Sequence, residues 1–332
     1  MDIKQQKGIV ATKIFAHLET MRPYTVIWCG LVSLAGACLS WGQLPPIDIA
    51  ILSLLVPIMG WIAGLYLSDF LDRDLDKIEK PHRPIPSGRI KPYEALFVGG
   101  LYAIVGTICS WYLGIRNFSL VFVVAILVLT YTSLAKSRGF LGNINRGLVT
   151  VIAYLYGVFT VPIALEFIPL YLWYLAPVFL FHDANSNLVG AIRDMEGDKK
   201  GGYQTFPVKY GLKKSIGLSA ILTCIWFPIA LILPLQYHFV NEFYYYLISI
   251  DVIILISFYS FFFYSLRSYS RRKALMYHEF FVIERITLAS AFIIGSSTIL
   301  IGIIIYLVAL VLTSGFQIVL RSRYEFKDGS IS

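Results

Sequence analysis

The first candidate chemical site is the segment 68–92, an acid-rich and proline-rich stretch that follows a long apolar run. Asp69, Asp72 and Asp76 are spaced i, i+3 and i+7, so on a helix their carboxylates share one face. Asp74 points away from that face. Like charges repel at this spacing, and the helix dipole disfavours anions at a C-terminal end. Because Mg²⁺ prefers carboxylate oxygens and also binds substrate phosphates, the pattern predicts a Mg²⁺ site.

The loop after these acids favours a phosphate ligand. Residues 83–88 read Arg-Pro-Ile-Pro-Ser-Gly, and the two prolines stiffen the loop. Arg83 and Arg89 can bring guanidinium groups to a phosphate. The alternative is a solvated acidic helix end without chemistry, neutralised by the nearby cations Arg73, Lys77 and Lys80. We favour the metal site because the arginine-proline loop follows the acids directly.

A second acidic segment, residues 191–211, also follows a long apolar run. Asp194 and Asp198 form an i, i+4 pair, and Lys199 and Lys200 come directly after it. Two carboxylate clusters on one membrane face would hold Mg²⁺ between them and bind a diphosphate. The apolar interior of a helical bundle suits a hydrocarbon tail. The sequence therefore predicts an isoprenyl diphosphate as the ligand.

The polarity of the second segment extends into the preceding apolar run. Asp183 and Asn187 continue the stripe of Asp194 and Asp198 along one helix face. An ionisable residue inside a bilayer is energetically costly and by default lines a cavity. The alternative for Asp183 is an interhelical hydrogen bond with no chemical role.

The elements that must position these residues are membrane-spanning helices. Of the 332 residues, 57% are hydrophobic and 14% are charged, and the mean hydropathy is +0.70. These values are typical of a polytopic membrane protein. Apolar runs long enough to cross a bilayer predict an all-α fold of about nine spans in a single domain, residues 1–332. The runs lie near 25–42, 47–67, 93–114, 118–135, 148–165, 170–191, 215–235, 243–265 and 286–313.

The distribution of Lys and Arg predicts the orientation of these spans. The net charge is +8, and most basic residues precede the first span or follow an even-numbered one. The exceptions are Arg116, Arg321, Arg323 and Lys327. The positive-inside rule then places the N-terminus and both acidic segments in the cytoplasm and the C-terminus outside, and we expect a bacterial inner membrane. Because topology accounts for the charge, we expect no nucleic-acid partner. The four cysteines lie singly in apolar runs and predict neither disulfides nor a zinc site.

Both acidic segments resemble the motifs of the UbiA superfamily of intramembrane prenyltransferases, and the resemblance covers essentially the whole chain. The family's first motif, Asn-Asp-x-x-Asp-x-x-x-Asp with a following Arg-Pro-x-Pro-Ser-Gly, is similar to residues 68–88, where Ser68 replaces Asn. The second, Asp-x-x-Asp-x-x-Gly-Asp with Thr-x-Pro-Val downstream, is similar to residues 191–208, where Ala191 replaces an acid. Further matches are Arg22-Pro23 and Tyr131 through Lys136.

The resemblance implies a helical bundle around a central cavity, with Mg²⁺ as cofactor. The implied Mg²⁺ ligands are Asp69, Asp72, Asp76, Asp194 and Asp198. The last four of these and Asp183 are the expected catalytic residues. The expected diphosphate-binding cations are Arg22, Arg83, Arg89, Lys136, Lys199 and Lys200. The expected substrate-pocket residues are Ser68, Tyr131, His182 and Asn187. Metal and cations neutralise the leaving diphosphate, and an allylic carbocation forms. An acceptor then attacks, with Asp183 as the expected proton acceptor.

The expected function is Mg²⁺-dependent transfer of an isoprenyl group from a polyprenyl diphosphate to a lipophilic acceptor, which we expect to be aromatic. One alternative is a UbiA-type terpene cyclase, which ionises the same diphosphate without a separate acceptor. A second alternative is a transporter that uses its intramembrane acids for ions or protons. A transporter leaves both acidic segments and the arginine-proline loop unexplained. The sequence does not specify the acceptor or the prenyl length.

Overall fold

The computed structural model describes residues 3–135, 137–264 and 269–325. Its helices are α1 Ile3–Met21, α2 Pro23–Trp41, α3 Ile47–Leu71, α4 Arg73–Glu79, α5 Pro92–Leu113, α6 Ile115–Thr130, α7 Leu141–Val158, α8 Leu170–Lys200, α9 Phe206–Tyr237, α10 Phe243–Tyr264, α11 Arg271–Ser296, α12 Ile299–Phe316 and α13 Ser322–Glu325. Short π-helical turns follow α6 and α12, at Tyr131–Ala135 and Gln317–Arg321. Two short strands, β1 Arg138–Gly139 and β2 Gln204–Thr205, pair in parallel.

The predicted all-α membrane fold is confirmed. Six of the described helices are long and apolar enough to span a membrane: α2, α3, α5, α9, α10 and α12 with its following turn. Helices α7, α8 and α11 carry more polar residues, and they pack inside the bundle against α2 and against each other. Their polar side chains therefore face protein and the cavity described below, which is where a membrane bundle tolerates them.

The predicted count of nine spans is not confirmed, because the expected ninth span, 286–313, covers parts of two helices. Helix α11 ends at Ser296 and α12 begins at Ile299, so the chain reverses between them. A Cβ atom at Gly302 would lie 2.5 Å from the Ile294 side chain, which shows how closely the two helices pack. Helix α11 begins at Arg271, capped by the Ser270 hydroxyl. Because the first half of α11 carries charged residues, a search for long apolar runs does not detect the helix.

This additional helix changes the position of the C-terminal residues. The Tyr324 hydroxyl donates to the Asp69 carboxylate, 3.1 Å from each oxygen, and Glu325 lies 3.2 Å from the Arg193 guanidinium. Residues 322–325 therefore lie at the same end of the bundle as both acidic segments. For the described residues 322–325 this differs from the prediction that the C-terminal segment lies on the opposite face, because one unrecognised helix reverses the parity of the spans.

Glycines allow the central helices to approach closely. A Cβ at Gly157 of α7 would lie 1.7 Å from the Ser33 carbonyl oxygen of α2, and one at Gly36 would lie 2.3 Å from the Tyr154 carbonyl oxygen. Small residues at such crossings let backbones pack directly, which is the main source of helix association in lipid. The crossing of α2 and α7 thereby fixes one wall of the functional cavity.

We expect Gly157→Ala to lower the free energy of unfolding by about 3 kcal/mol, because the added methyl group collides with backbone that has no room to move. Thermal unfolding in detergent measures this change. The matched control is Gly217→Ala in α9, where an added Cβ meets no atom within 4 Å among the described residues. Equal midpoints for the two variants would contradict the close α2–α7 crossing.

Candidate active site

A cavity of about 690 Å³ lies among α3, α5, α6, α7 and α8. Its wall between α3, α5 and α6 is apolar and contains small residues, among them Val56, Gly60, Gly64, Gly99, Val124 and Val128. Its other end is lined by all five aspartates of the two acidic segments: Asp69, Asp72, Asp76, Asp194 and Asp198. The cavity therefore joins a charged end to an apolar groove, which suits a ligand with a charged head and a hydrocarbon tail.

The first acidic segment is divided between two helices, in contrast to the single helix expected from its spacing. Helix α3 ends at Leu71, Asp72 serves as its C-cap, and α4 begins at Arg73. Asp69 lies in the last turn of α3, and Asp76 lies in α4. All three aspartates line the cavity, as predicted. Asp74 points away, as predicted, and its carboxylate lies 2.9 Å from Lys77 in solvent.

Asp69 is held by Arg22 and by the C-terminal Tyr324. Arg22 connects α1 and α2 in a left-handed conformation (φ 46°), which is uncommon for a residue with a side chain. Its guanidinium donates to the Asp69 carboxylate and to the Tyr324 hydroxyl. The Tyr324 ring lies between two guanidinium groups, with the carbon of Arg22 and that of Arg83 each 4.2 Å from its centroid. Tyr324 therefore orders both arginines and one carboxylate.

The other two aspartates of this segment have different surroundings. One Arg83 nitrogen donates to both Asp76 oxygens, at 3.0 and 2.8 Å. Asp72 lies 3.5 Å from the Tyr203 hydroxyl, which belongs to the second acidic segment. Residues of both acidic segments therefore lie together at the cavity.

The second segment lies at the C-terminal end of α8. The Arg193 guanidinium lies 2.5 Å from an Asp194 oxygen and 3.2 Å from Glu325. Burial alone would raise the pKa of Asp194, but the charges of Arg193 and Lys80 hold it well below its usual value. Burial would also raise the pKa of Glu325, yet Arg193 lowers it to about 2. Asp198 accepts a hydrogen bond from Thr205 at 3.2 Å, beside the pairing of β1 and β2.

Three of the five aspartates are thus paired with arginines, and this bears on metal binding. Among the described residues, no three His, Cys, Asp or Glu side chains are arranged as a preformed metal site. Mg²⁺ does not require such a cage, because it retains water and commonly binds one or two carboxylates together with substrate phosphates. The oxygen-only donors at this end of the cavity suit that mode of binding.

The remaining predicted site residues divide into three groups. Arg22, Ser68, Arg83, Tyr131 and Asn187 line the cavity. Arg89 does not, since it contacts Glu19 and the His82 carbonyl, each at 2.7 Å. Lys199 and Lys200 are exposed and also do not line it. Lys136 lies outside the described residues.

His182 and Asp183 lie behind the cavity wall instead of facing a substrate. His182 is buried, with one ring nitrogen 2.8 Å from Glu284 and its ring between those of Trp28 and Trp226. Asp183 is 1% exposed, and its nearest charged partner is Arg146, at 3.7 Å. This placement favours a role in which Asp183 positions Arg146, instead of one in which Asp183 takes a proton from the acceptor.

Several cavity residues were not predicted from the sequence: Lys80, Arg146, Arg193, Arg285, Tyr324 and Glu325. The four cations were counted only as charges that set topology or neutralise acids. Arg285 was assigned to a loop because α11 was not recognised. Tyr324 was assigned no role, and its segment was assigned to the opposite face.

Comparisons with known proteins agree with this geometry. The sequence model of the UbiA prenyltransferase family matches residues 28–284. Digeranylgeranylglyceryl phosphate synthase of Pyrococcus horikoshii is 33% identical over 200 residues, which cover 60% of this chain and 70% of the relative. The synthase of Thermococcus kodakarensis is 31% identical over 213 residues, covering 63% and 75%.

Solved structures share the fold. A structure of digeranylgeranylglyceryl phosphate synthase is 26% identical, with a TM-score of 0.64 over 86% of this chain and 98% of that one. A UbiA homologue from Aeropyrum pernix has a TM-score of 0.70 at 15% identity, covering 81% and 97%. A UbiA homologue from Archaeoglobus fulgidus, solved with GPP and Mg²⁺, has a TM-score of 0.58 at 18% identity, covering 83% and 99%.

Proposed function

The chain belongs to the UbiA prenyltransferase family, and from this premise we propose that it transfers an isoprenyl group from a prenyl diphosphate, with Mg²⁺, to a lipid acceptor that carries a glyceryl phosphate. The observation that carries the proposal is the cavity itself. Five aspartates and four basic side chains meet at one end of it, and an apolar wall forms the other part. The four basic residues at the acidic end are Arg22, Lys80, Arg83 and Arg193.

The relatives favour a glyceryl phosphate acceptor over the aromatic acceptor expected from the sequence. Two synthases, at 33% and 31% identity, are named for digeranylgeranylglyceryl phosphate, a glyceryl phosphate with two geranylgeranyl groups. If this chain performs the same chemistry, the bond that breaks joins the allylic carbon to a diphosphate oxygen. The bond that forms joins that carbon to an acceptor hydroxyl oxygen, and the hydroxyl proton is released.

In this proposal, the residues at the acidic end bind the metal ion and the diphosphate. Asp72 and Asp198 would hold Mg²⁺, with Asp69, Asp76 and Asp194 as further ligands. When bound, the metal supplies positive charge that stabilises the leaving diphosphate. Arg22, Arg83 and Arg193 bring guanidinium groups to the same oxygens, and fixed donors of this kind lower the barrier to ionisation. The apolar wall holds the prenyl chain and excludes water from the allylic carbon.

The protein is integral to the membrane, and we propose that the acidic end of the bundle faces the cytoplasm. Basic residues concentrate at this end, in the segments that flank α3, α8 and α11. A diphosphate made in the cytoplasm would then enter directly. The bacterial inner membrane remains a prediction.

Release of pyrophosphate tests this function. We expect purified protein to release pyrophosphate from geranylgeranyl diphosphate when Mg²⁺ and a geranylgeranyl glyceryl phosphate are both present. Mass spectrometry should then show the acceptor with one added prenyl group. A cyclised hydrocarbon formed without acceptor would indicate the cyclase alternative instead. A complete lack of pyrophosphate release at every Mg²⁺ concentration would contradict both and leave the transporter.

A further inference from the structure

A second group of charged residues lines the same cavity, away from the aspartates. Arg146 projects from α7 and Arg285 from α11, and Asn187 of α8 lines the cavity beside them. Asn187 precedes Asp194 by seven residues on one helix, which places it about 10 Å along α8 from the acidic end. The two arginines therefore form a separate polar patch, which we call the arginine patch.

The arginine patch has hydrogen-bond donors that the described residues do not satisfy. Arg285 is 3% exposed, and its Nε and Nη2 atoms have no hydrogen-bond partner within the described part of the chain. The same holds for Nε of Arg146, whose guanidinium carbon lies 4.0 Å from the centroid of the Trp61 ring. A buried guanidinium group whose donors are only partly satisfied is costly. Such donors at a cavity wall are arranged for an anion that enters the cavity.

The local charge supports this conclusion and separates the patch from the acidic end. The buried carboxylate of Asp183 lies 3.7 Å from Arg146 and also attracts Arg285, so the two guanidinium groups share this carboxylate. At the acidic end, four cations meet the five aspartates and Glu325. That end therefore attracts an anion only together with a metal ion, whereas the arginine patch attracts an anion without one.

We infer that Arg146 and Arg285 bind the phosphate of the acceptor lipid while the aspartates bind the metal and the donor diphosphate. This inference rests on the proposed function. Two guanidinium groups from different helices can each donate to a phosphate, and such charge-assisted bonds are among the strongest in proteins. Asp183 acts as a positioning residue, because its buried carboxylate attracts Arg146 from 3.7 Å, beyond hydrogen-bond distance, without lining the cavity. The acceptor hydroxyl then lies between the arginine patch and the allylic carbon of the donor.

Direct binding tests the inference without turnover. A short-chain monoalkyl glycerol phosphate is titrated into the protein in detergent, without Mg²⁺ or prenyl diphosphate, while tryptophan fluorescence is followed. The fluorescence of Trp61 should change on binding, because its ring centroid lies 4.0 Å from the guanidinium carbon of Arg146. We expect Arg146→Gln and Arg285→Gln each to weaken binding about 10- to 100-fold. The lysine variants at both positions keep the charge, so they should fold and should show a smaller loss.

The control variant is Arg116→Gln, because Arg116 donates to the carbonyls of Val161 and Ile163 and does not line the cavity. It should bind the alkyl glycerol phosphate as the wild type does. A Mg²⁺-loaded, non-hydrolysable prenyl diphosphate analogue should bind with unchanged affinity to the arginine-patch variants.

Three results would overturn the inference. The first is wild-type affinity for the alkyl glycerol phosphate in both Gln variants. The second is an equal loss of affinity for the diphosphate analogue, which would assign these arginines to the donor site. The third is a wild-type protein that binds 4-hydroxybenzoate in place of the alkyl glycerol phosphate. Pyrophosphate release with various acceptors is assayed separately, so a failure of the proposed function is distinguishable from a failure of this site.

Discussion

Asp198→Asn is expected to lower the rate of pyrophosphate release by about a thousandfold, while the protein still inserts and folds. Asp198 lines the charged end of the cavity, and Thr205 orients its carboxylate. The amide keeps the size and the hydrogen bond but lacks the negative charge that a divalent cation requires. Removal of Mg²⁺ with EDTA should reduce the wild type to a similar rate, and added Mg²⁺ should restore only the wild type.

Asp74→Asn is the matched control for this substitution. Asp74 belongs to the same acidic run, but it is exposed and pairs with Lys77 outside the cavity. It should retain wild-type activity, because its charge does not reach the cavity. Full activity in Asp198→Asn would contradict the assignment of the metal ligands. An equal loss in Asp74→Asn would show that the effect reflects net charge instead of position.

The sequence predicted those helices that are apolar along most of their length, because hydropathy detects only such helices. Helices α2, α3, α5 and α10 follow the predicted apolar runs closely, whereas α9 begins nine residues before its run. Helix α11 was not recognised, because its first half carries Arg271, Arg272, Lys273 and Glu279, and Glu284 and Arg285 follow just past its middle. Glu284 and Arg285 are buried, and α11 packs against α2, α8 and α10. Hydropathy cannot distinguish such a polar helix inside a bundle from a loop. That single omission changed the helix count and the face assigned to the C-terminus.

The site was predicted to the extent that its chemistry is local in sequence. Spacing grouped Asp72 with Asp69 and Asp76, and Asp198 with Asp194, because residues three, four or seven positions apart share a face of a helix. Contacts between distant segments could not be predicted in this way. The hydrogen bond from Tyr324 to Asp69 joins residues 255 positions apart. Arg146 and Arg285 meet only because α7 and α11 both border the cavity, and no local spacing encodes that arrangement.

The pairing of aspartates with arginines leads to a second large expected effect: Mg²⁺ and the diphosphate should bind cooperatively. Asp69, Asp76 and Asp194 contact Arg22, Arg83 and Arg193 respectively. Mg²⁺ alone would draw carboxylates away from these arginines, and the diphosphate alone would draw the arginines away from the carboxylates. Each case leaves buried charges unpaired, at a cost of about 3–5 kcal/mol per broken pair. When both ligands bind, every charge has a partner.

We therefore expect saturating Mg²⁺ to raise the affinity for a non-hydrolysable prenyl diphosphate analogue by about 100-fold or more, and the analogue to raise the affinity for Mg²⁺ by the same factor. Isothermal titration calorimetry measures both. Asp76→Asn gives the sharpest comparison, because it removes the charge that one Arg83 nitrogen contacts through both carboxylate oxygens. Without Mg²⁺ this variant should bind the analogue more tightly than the wild type, and its gain from Mg²⁺ should be smaller. Chelation of Mg²⁺ by the analogue in solution is identical for both proteins and cannot produce that difference. If Asp76→Asn binds the analogue more weakly than the wild type without Mg²⁺, the cooperative model is contradicted. That result would mean that pairing with Asp76 does not reduce the affinity of Arg83 for the diphosphate.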